Sequence, residues 1–325
     1  MADLKFKECE NRRRIDEISS GEFTDYMFMM YRKGEDGWYK NTIQPHCEFR
    51  YGPSVSAALC GACIRKSIRI TQDKDGKAAF FSADKVISEL NECGRSLGLA
   101  EVDGVYASYA LRELVKLERQ FLSENSFLVA HLSLFSNDKK VTYPAGTCTF
   151  TVMLEYREVS DATVSAMTLP LECTALLPES AHFRARAAAE MTGYDDVLWL
   201  DPVYKKYVQG LGLMSVFFRL ENEIITPCGG KDMMTRTACS LMKTWGLTVT
   251  ERKISTDELM QLYSKGEVLE VFCVSDTEAV RSCTVLDIQD TVMEFGTGKL
   301  TKKLISSIAN IEKGLLVSKT AFERI

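Results

Sequence analysis

Gly193-Tyr-Asp-Asp-Val-Leu-Trp-Leu-Asp201 decides how this chain is read. The glycine at its head is a helix stop, because the left-handed backbone that closes a helix costs glycine almost nothing. Ala181 to Thr192, just before it, is alanine-rich and reads as the helix being closed. Val197-Leu-Trp-Leu200, just after it, is an unbroken apolar run of strand length, the pattern of a strand buried on both faces. A helix that runs directly into a buried strand predicts an α/β architecture for the second half of the chain.

Working outward, Val216-Phe-Phe218, Leu247 to Glu251 and Glu270-Val-Phe-Cys-Val274 read as further strands. Thr237 to Trp245, stopped by Gly246, Thr256 to Lys265 and Lys299 to Lys313 read as helices. In the first half, Tyr26 to Arg32 and the strand from Trp38 form a hairpin about Lys33-Gly-Glu-Asp-Gly37. A second hairpin turns at Asp73-Lys-Asp-Gly76. Ser82 is the predicted N-cap of a helix to Leu97 with Val86, Ile87 and Leu90 on one stripe. Val105 to Phe121 is a second amphipathic helix, and Phe127 to Phe135 and Cys148 to Tyr156 are strands. The expected organisation is a polar N-terminal arm (1–22), a smaller α+β domain (23–160), an interdomain linker (161–175) and a larger α/β domain (176–325). Within the arm, Arg12-Arg13-Arg14 is read as a solvated tail or a helix start, since acidic residues flank it.

With 325 residues, 46% of them hydrophobic, the chain can build two proper cores. A net charge of −5 gives no electrostatic case for nucleic acid. No segment has transmembrane or signal-peptide character, so no membrane partner and a cytoplasmic location are expected. The 11 cysteines are scattered and expected to be reduced; Cys60-Gly-Ala-Cys63 has no second pair beside it. Three dispersed histidines make a metal site unexpected. His46 and His131 are assigned structural roles, and the methionine-rich stretch around Met27, Met29 and Met30 is assigned to packing.

Several ordered pieces together resemble the branched-chain aminotransferases, pyridoxal-phosphate enzymes of fold type IV. Phe49-Arg-Tyr-Gly52 stands where that family has Leu-His-Tyr-Gly, and Gly193 to Asp201 follows its Gly-x-x-x-Val-Leu-Trp-Leu-Asp segment. Tyr207 to Phe218 is similar to its Glu-x-Gly-x-Met-Asn-x-Phe segment, and Ile225-Thr-Pro227 with Thr235-Arg236 to its phosphate-cup pieces. The resemblance implies two domains, a homodimer and a ligand pocket between the domains.

It also marks where this chain departs from the family. No lysine occurs between Lys140 and Lys205, the stretch that would carry the Schiff-base lysine, whose position falls at or near Thr174. The family tyrosine after that lysine maps to Glu179, the pyridinium-binding glutamate to Gly210 and the phosphate arginine to Glu89. Without that amine the usual covalent chemistry has no anchor. The sequence therefore predicts an enzyme without cofactor on a transaminase scaffold, using the vacated cavity for acid/base isomerisation, elimination or cyclisation of a small organic substrate. Glu179, His182 and Glu89 are the candidate catalytic groups, Glu179 and His182 being three residues apart at a helix start. Tyr51, Arg50, Thr174, Arg236 and Thr277 are the candidate substrate contacts. The alternatives are a non-catalytic pseudo-aminotransferase that regulates a partner or binds a ligand, and an atypical pyridoxal-phosphate-dependent member.

Overall fold

The computed structural model describes residues 4–34, 36–47, 57, 61–139, 144–171, 178–227, 232–289, 291–316 and 322–325. They fall into two compact units: the first runs to Val159 and takes back Glu312–Leu315 and the C-terminal strand, and the second is built on Ser160–Ile311.

In the first unit an eight-stranded sheet among the described residues is formed by β1 (Lys5–Phe6), β2 (Phe23–Lys33), β3 (Trp38–Pro45), β4 (Cys63–Gln72), β5 (Ala78–Phe81), β6 (Ser126–Ser136), β7 (Thr147–Glu158) and the C-terminal Phe322–Arg324. Its order is β1-β3-β2-β7-β6-β4-β5, with the C-terminal strand beside β5. The two predicted hairpins are present, β2 pairing antiparallel with β3 and β4 with β5. Helices α1 (Ala83–Ser96) and α2 (Gly104–Glu118) supply the apolar stripes that bury Val86, Ile87, Leu90, Leu111 and Leu114. Gly94 permits α1 to come close to β6, since a Cβ there would sit 3.1 Å from Leu134. Asp103 caps α2 by accepting the Val105 and Tyr106 N–H groups.

Three expectations change here. Ser82 precedes α1 but makes no side-chain cap; the Ala83 N–H instead donates to Glu323 at 3.1 Å, a carboxylate delivered by the C-terminal strand. That strand belongs to the first unit, although 176–325 was read as one domain. The arginine run stands at a helix start, ahead of the short 3-10 turn Ile15–Glu17, but Arg12 and Arg13 are not simply solvated. Arg12 donates to Glu118 at 2.6 Å and to the Leu117 carbonyl, and Arg13 donates to Asp25 at 2.8 Å, because both carboxylates need a partner once buried.

The second unit holds β8 (Val164–Pro170), α3 (Pro178–Met191), β9 (Asp196–Leu200), β10 (Val208–Leu211), β11 (Ser215–Arg219), β12 (Ile224–Thr226), α4 (Met233–Thr244), β13 (Val249–Glu251), α5 (Thr256–Ser264), β14 (Glu270–Ser275), β15 (Ala279–Ile288), β16 (Thr291–Glu294) and α6 (Lys299–Glu312). Its mixed sheet runs β10-β9-β8-β15-β14-β11-β12-β13, with β16 on β15. Residues 164–170, read as linker, are a strand flanked by parallel partners on both sides. The decisive segment behaves as its composition demands: β9 is buried at every position, and Gly193 closes the preceding helix at a φ of +89°. Val164, Ala166, Leu198, Phe218, Val271 and Leu286 meet in the core of this unit. Among the described residues no helix is long and apolar enough to cross a membrane.

Candidate functional site

In the second unit, α3 carries His182 and β9 begins with Asp196, and both side chains are buried. His182 Nε2 lies 2.8 Å from Asp196 Oδ1, which also accepts the Val197 N–H at 2.8 Å. The other carboxylate oxygen is pressed against Gly212, where a Cβ would stand 2.3 Å away. Gly212 turns with φ at +56°, donates its N–H to the Val197 carbonyl and accepts the Trp199 indole N–H at 2.9 Å. His182 is thus tied to a carboxylate that is itself wedged into a turn. Sequence reading paired His182 with Glu179; Glu179 lies on α3, but its side chain is outside the described residues. Asp196 was missed, and its only signal was an acidic residue standing directly before an apolar strand.

A second polar cluster surrounds the start of α4. Asp232 caps the helix, accepting the Thr235 N–H at 2.7 Å and the Thr235 hydroxyl at 2.8 Å. The Met234 N–H donates to Asp276 at 2.8 Å, from the turn between β14 and β15. Burial pushes the Asp232 carboxyl above its ordinary value, against the hydrogen bonds from Thr235. The predicted substrate contacts Arg236 and Thr277 sit on these same two elements, one in the first turn of α4 and the other beside Asp276. Thr277 Oγ1 lies 3.2 Å from the Ser275 hydroxyl. Gly210, on β10, faces backbone: a Cβ there would be 3.1 Å from the Met214 carbonyl oxygen.

Glu89 belongs to the first unit, on α1, with Lys66 of β4 3.8 Å away. Arg50, Tyr51 and Thr174 lie outside the described residues. His46 stacks on Phe23 with ring centroids 5.3 Å apart, and burial with the nearby Arg13 lowers its pKa. Among the described residues no group of three His, Cys, Asp or Glu side chains is arranged to hold a metal ion.

No family model matches the chain. Individual proteins do. Branched-chain-amino-acid transaminase 1 of Bacillus subtilis is 27% identical, over 90% of this chain and 89% of its own length. A probable branched-chain-amino-acid aminotransferase of Staphylococcus aureus is 26% identical, over 92% of this chain and 90% of its own. Among solved structures, the branched-chain aminotransferase of Thermoproteus uzoniensis with norvaline superposes with a TM-score of 0.69 at 15% identity, covering 89% of this chain and 95% of that one. A mutant form of the branched-chain amino acid aminotransferase of Thermobaculum terrenum gives 0.68 at 17% identity, over 91% and 95%. An aminotransferase from Brucella abortus bound to the cofactor pyridoxal phosphate gives 0.68 at 15%, over 88% and 99%.

This chain has the branched-chain aminotransferase fold. The resemblance seen in scattered sequence pieces extends over nine tenths of the molecule. These findings overturn the expectation of an isomerase, lyase or cyclase working without pyridoxal phosphate. The relatives are transaminases, and one of the fold's neighbours holds that cofactor.

The described residues do not fit pyridoxal phosphate held by the contacts that the resemblance implies. The resemblance maps the phosphate arginine to Glu89, an acidic residue whose carboxylate lies 3.8 Å from Lys66. The Met234 and Thr235 N–H groups, the donors that a helix start offers an anion, are taken by Asp276 and Asp232. Gly210, to which the resemblance maps the pyridinium-binding glutamate, has no carboxylate, and its surroundings leave a side chain little room.

Proposed function

We propose that this protein is an aminotransferase-type enzyme, acting on a branched-chain amino acid or the matching 2-oxo acid with pyridoxal phosphate as cofactor. One observation carries the reading: transaminases of that class are similar to it over about 90% of both chains. Solved aminotransferases sharing its fold along nearly their whole length support it further.

Within that reading we propose a divergent member without the Schiff-base lysine, which the absence of lysine from 141–204 supports. The cofactor is then held by contacts other than those expected at Glu89, Gly210 and the start of α4. Arg236 and Thr277 are assigned to the substrate, with Arg50, Tyr51 and Thr174 as further candidates. His182 is assigned to holding Asp196, which its 2.8 Å hydrogen bond supports. The assembly proposed is a homodimer, which sedimentation would test.

The test uses the purified full chain with leucine, 2-oxoglutarate and added pyridoxal phosphate. Glutamate should form only when the cofactor is present, together with a change in its visible absorption on binding. Absence of both at millimolar cofactor would overturn the assignment.

A further inference from the structure

Ser67, His131 and Glu155 lie on three neighbouring strands of the first unit and on one face of its sheet. In register Ser67 stands opposite His131 across β4 and β6, and Glu155 on β7 stands opposite Val129, two residues from His131. Ser67 Oγ is 3.2 Å from His131 Nδ1, and His131 Nε2 is 2.6 Å from Glu155 Oε2. Glu155 Oε1 accepts the Arg157 Nε–H at 2.7 Å. Burial pushes the Glu155 carboxyl up, but the His131 and Arg157 contacts outweigh it and hold it below its ordinary value.

An ionised carboxylate only accepts, so Glu155 takes the Nε2–H, and in the neutral ring Nδ1 is left to accept from the serine hydroxyl. Nucleophile, base and orienting acid follow one another in hydrogen-bond reach, the order that activates a serine. His131 and Glu155 are buried, whereas Ser67 is only half-buried. Arg65, exposed and two residues before Ser67, puts a cation on the same side of β4. Phe23 packs edge-on against the imidazole at 5.9 Å and limits its rotation.

We propose that Ser67 is a nucleophile activated by His131, with Glu155 as the positioning residue, at an acyl-transfer site for activated carboxylic esters or thioesters. The site is independent of the aminotransferase reading. Ser67 Oγ bonds to the carbonyl carbon while its proton passes to His131 Nδ1. The bond from that carbon to the leaving oxygen or sulfur then breaks, and the leaving group takes the proton. Water repeats the sequence, releasing the carboxylic acid and restoring Ser67.

The experiment treats the full-length protein with a fluorophosphonate probe and maps the adduct by mass spectrometry, alongside hydrolysis of 4-nitrophenyl butyrate. One adduct on Ser67 is expected, abolished by Ser67→Ala and slowed at least tenfold by Glu155→Gln. Ester hydrolysis should fall at least tenfold in Ser67→Ala with its melting temperature unchanged. No adduct on Ser67 in the folded protein, or equal hydrolysis by Ser67→Ala, would overturn the proposal. Because Glu155→Gln also alters Arg157, the Ser67→Ala comparison decides if that variant unfolds.

Discussion

Each unit buries an imidazole against a carboxylate, yet the two pairs are built on different principles. His131 and Glu155 meet at 2.6 Å between side chains of adjacent strands, and their outer partners, Ser67 and Arg157, are also side chains. His182 and Asp196 meet at 2.8 Å, but Asp196 is also fixed by the Val197 N–H and by the turn at Gly212. The first pair can move protons without disturbing the backbone. The second is part of the backbone's own scaffolding, and losing it should cost stability rather than chemistry.

The sharpest way to break this contrast is Gly212→Ala. A methyl group would meet Asp196 at 2.3 Å, at a φ of +56° that L residues avoid. We expect a loss of about 3 kcal/mol from backbone strain and overpacking together, read by chemical denaturation. A loss below about 1 kcal/mol would mean that Asp196 is not wedged there.

A comparable effect comes from pH, at a carboxylate of the first unit. Glu118 is fully buried; burial raises its pKa from 4.5 to about 7, against the Tyr26 N–H and the Arg12 guanidinium. Because the folded value lies above the unfolded one, this group's contribution is complete below about pH 4.5 and is lost as pH rises through about 7. Its full size is about 3 kcal/mol, and Glu118→Gln should flatten the stability profile across that window. Glu155 carries the opposite sign: its depressed value contributes stability above the ordinary glutamate range and loses it as pH falls through the folded value.

Smaller effects separate the two pairs directly. Asp196→Ala leaves His182 and the Val197 N–H without that partner in a closed site, for about 2 kcal/mol. Glu155→Gln should cost about 1 kcal/mol, because the Arg157 side chain is 37% exposed and can turn to water. Thermal melts of both variants check the order. Arg186→Ala breaks only an exposed pair with Glu190 one helical turn away and should cost about 0.3 kcal/mol.

Much of the architecture was legible because it is local. The stop at Gly193, the run Val197 to Leu200, both hairpins and the stripe of α1 follow from residue types at fixed spacing, and each occurs where read. The first turn of α4 was missed because Asp232, the residue that caps it, follows a glycine-rich stretch that reads as loop. Residues 164–170 were missed as a strand because short mixed stretches carry little periodic signal until parallel neighbours supply their hydrogen bonds.

The site divides along the same line. Composition and order alone determined the aminotransferase-like scaffold and the lysine-free stretch from 141 to 204, since these rest on identities that folding cannot alter. Only the tertiary structure decided that Asp196 holds His182, that Asp276 reaches Met234 from another element, and that Glu323 caps α1 from the far end of the chain. It also brought Ser67 and Glu155 to His131. Those partners are 14 to 240 positions apart, and a hydrogen bond across such a separation depends on where the sheets and helices carry each donor. No spacing rule along the chain encodes that.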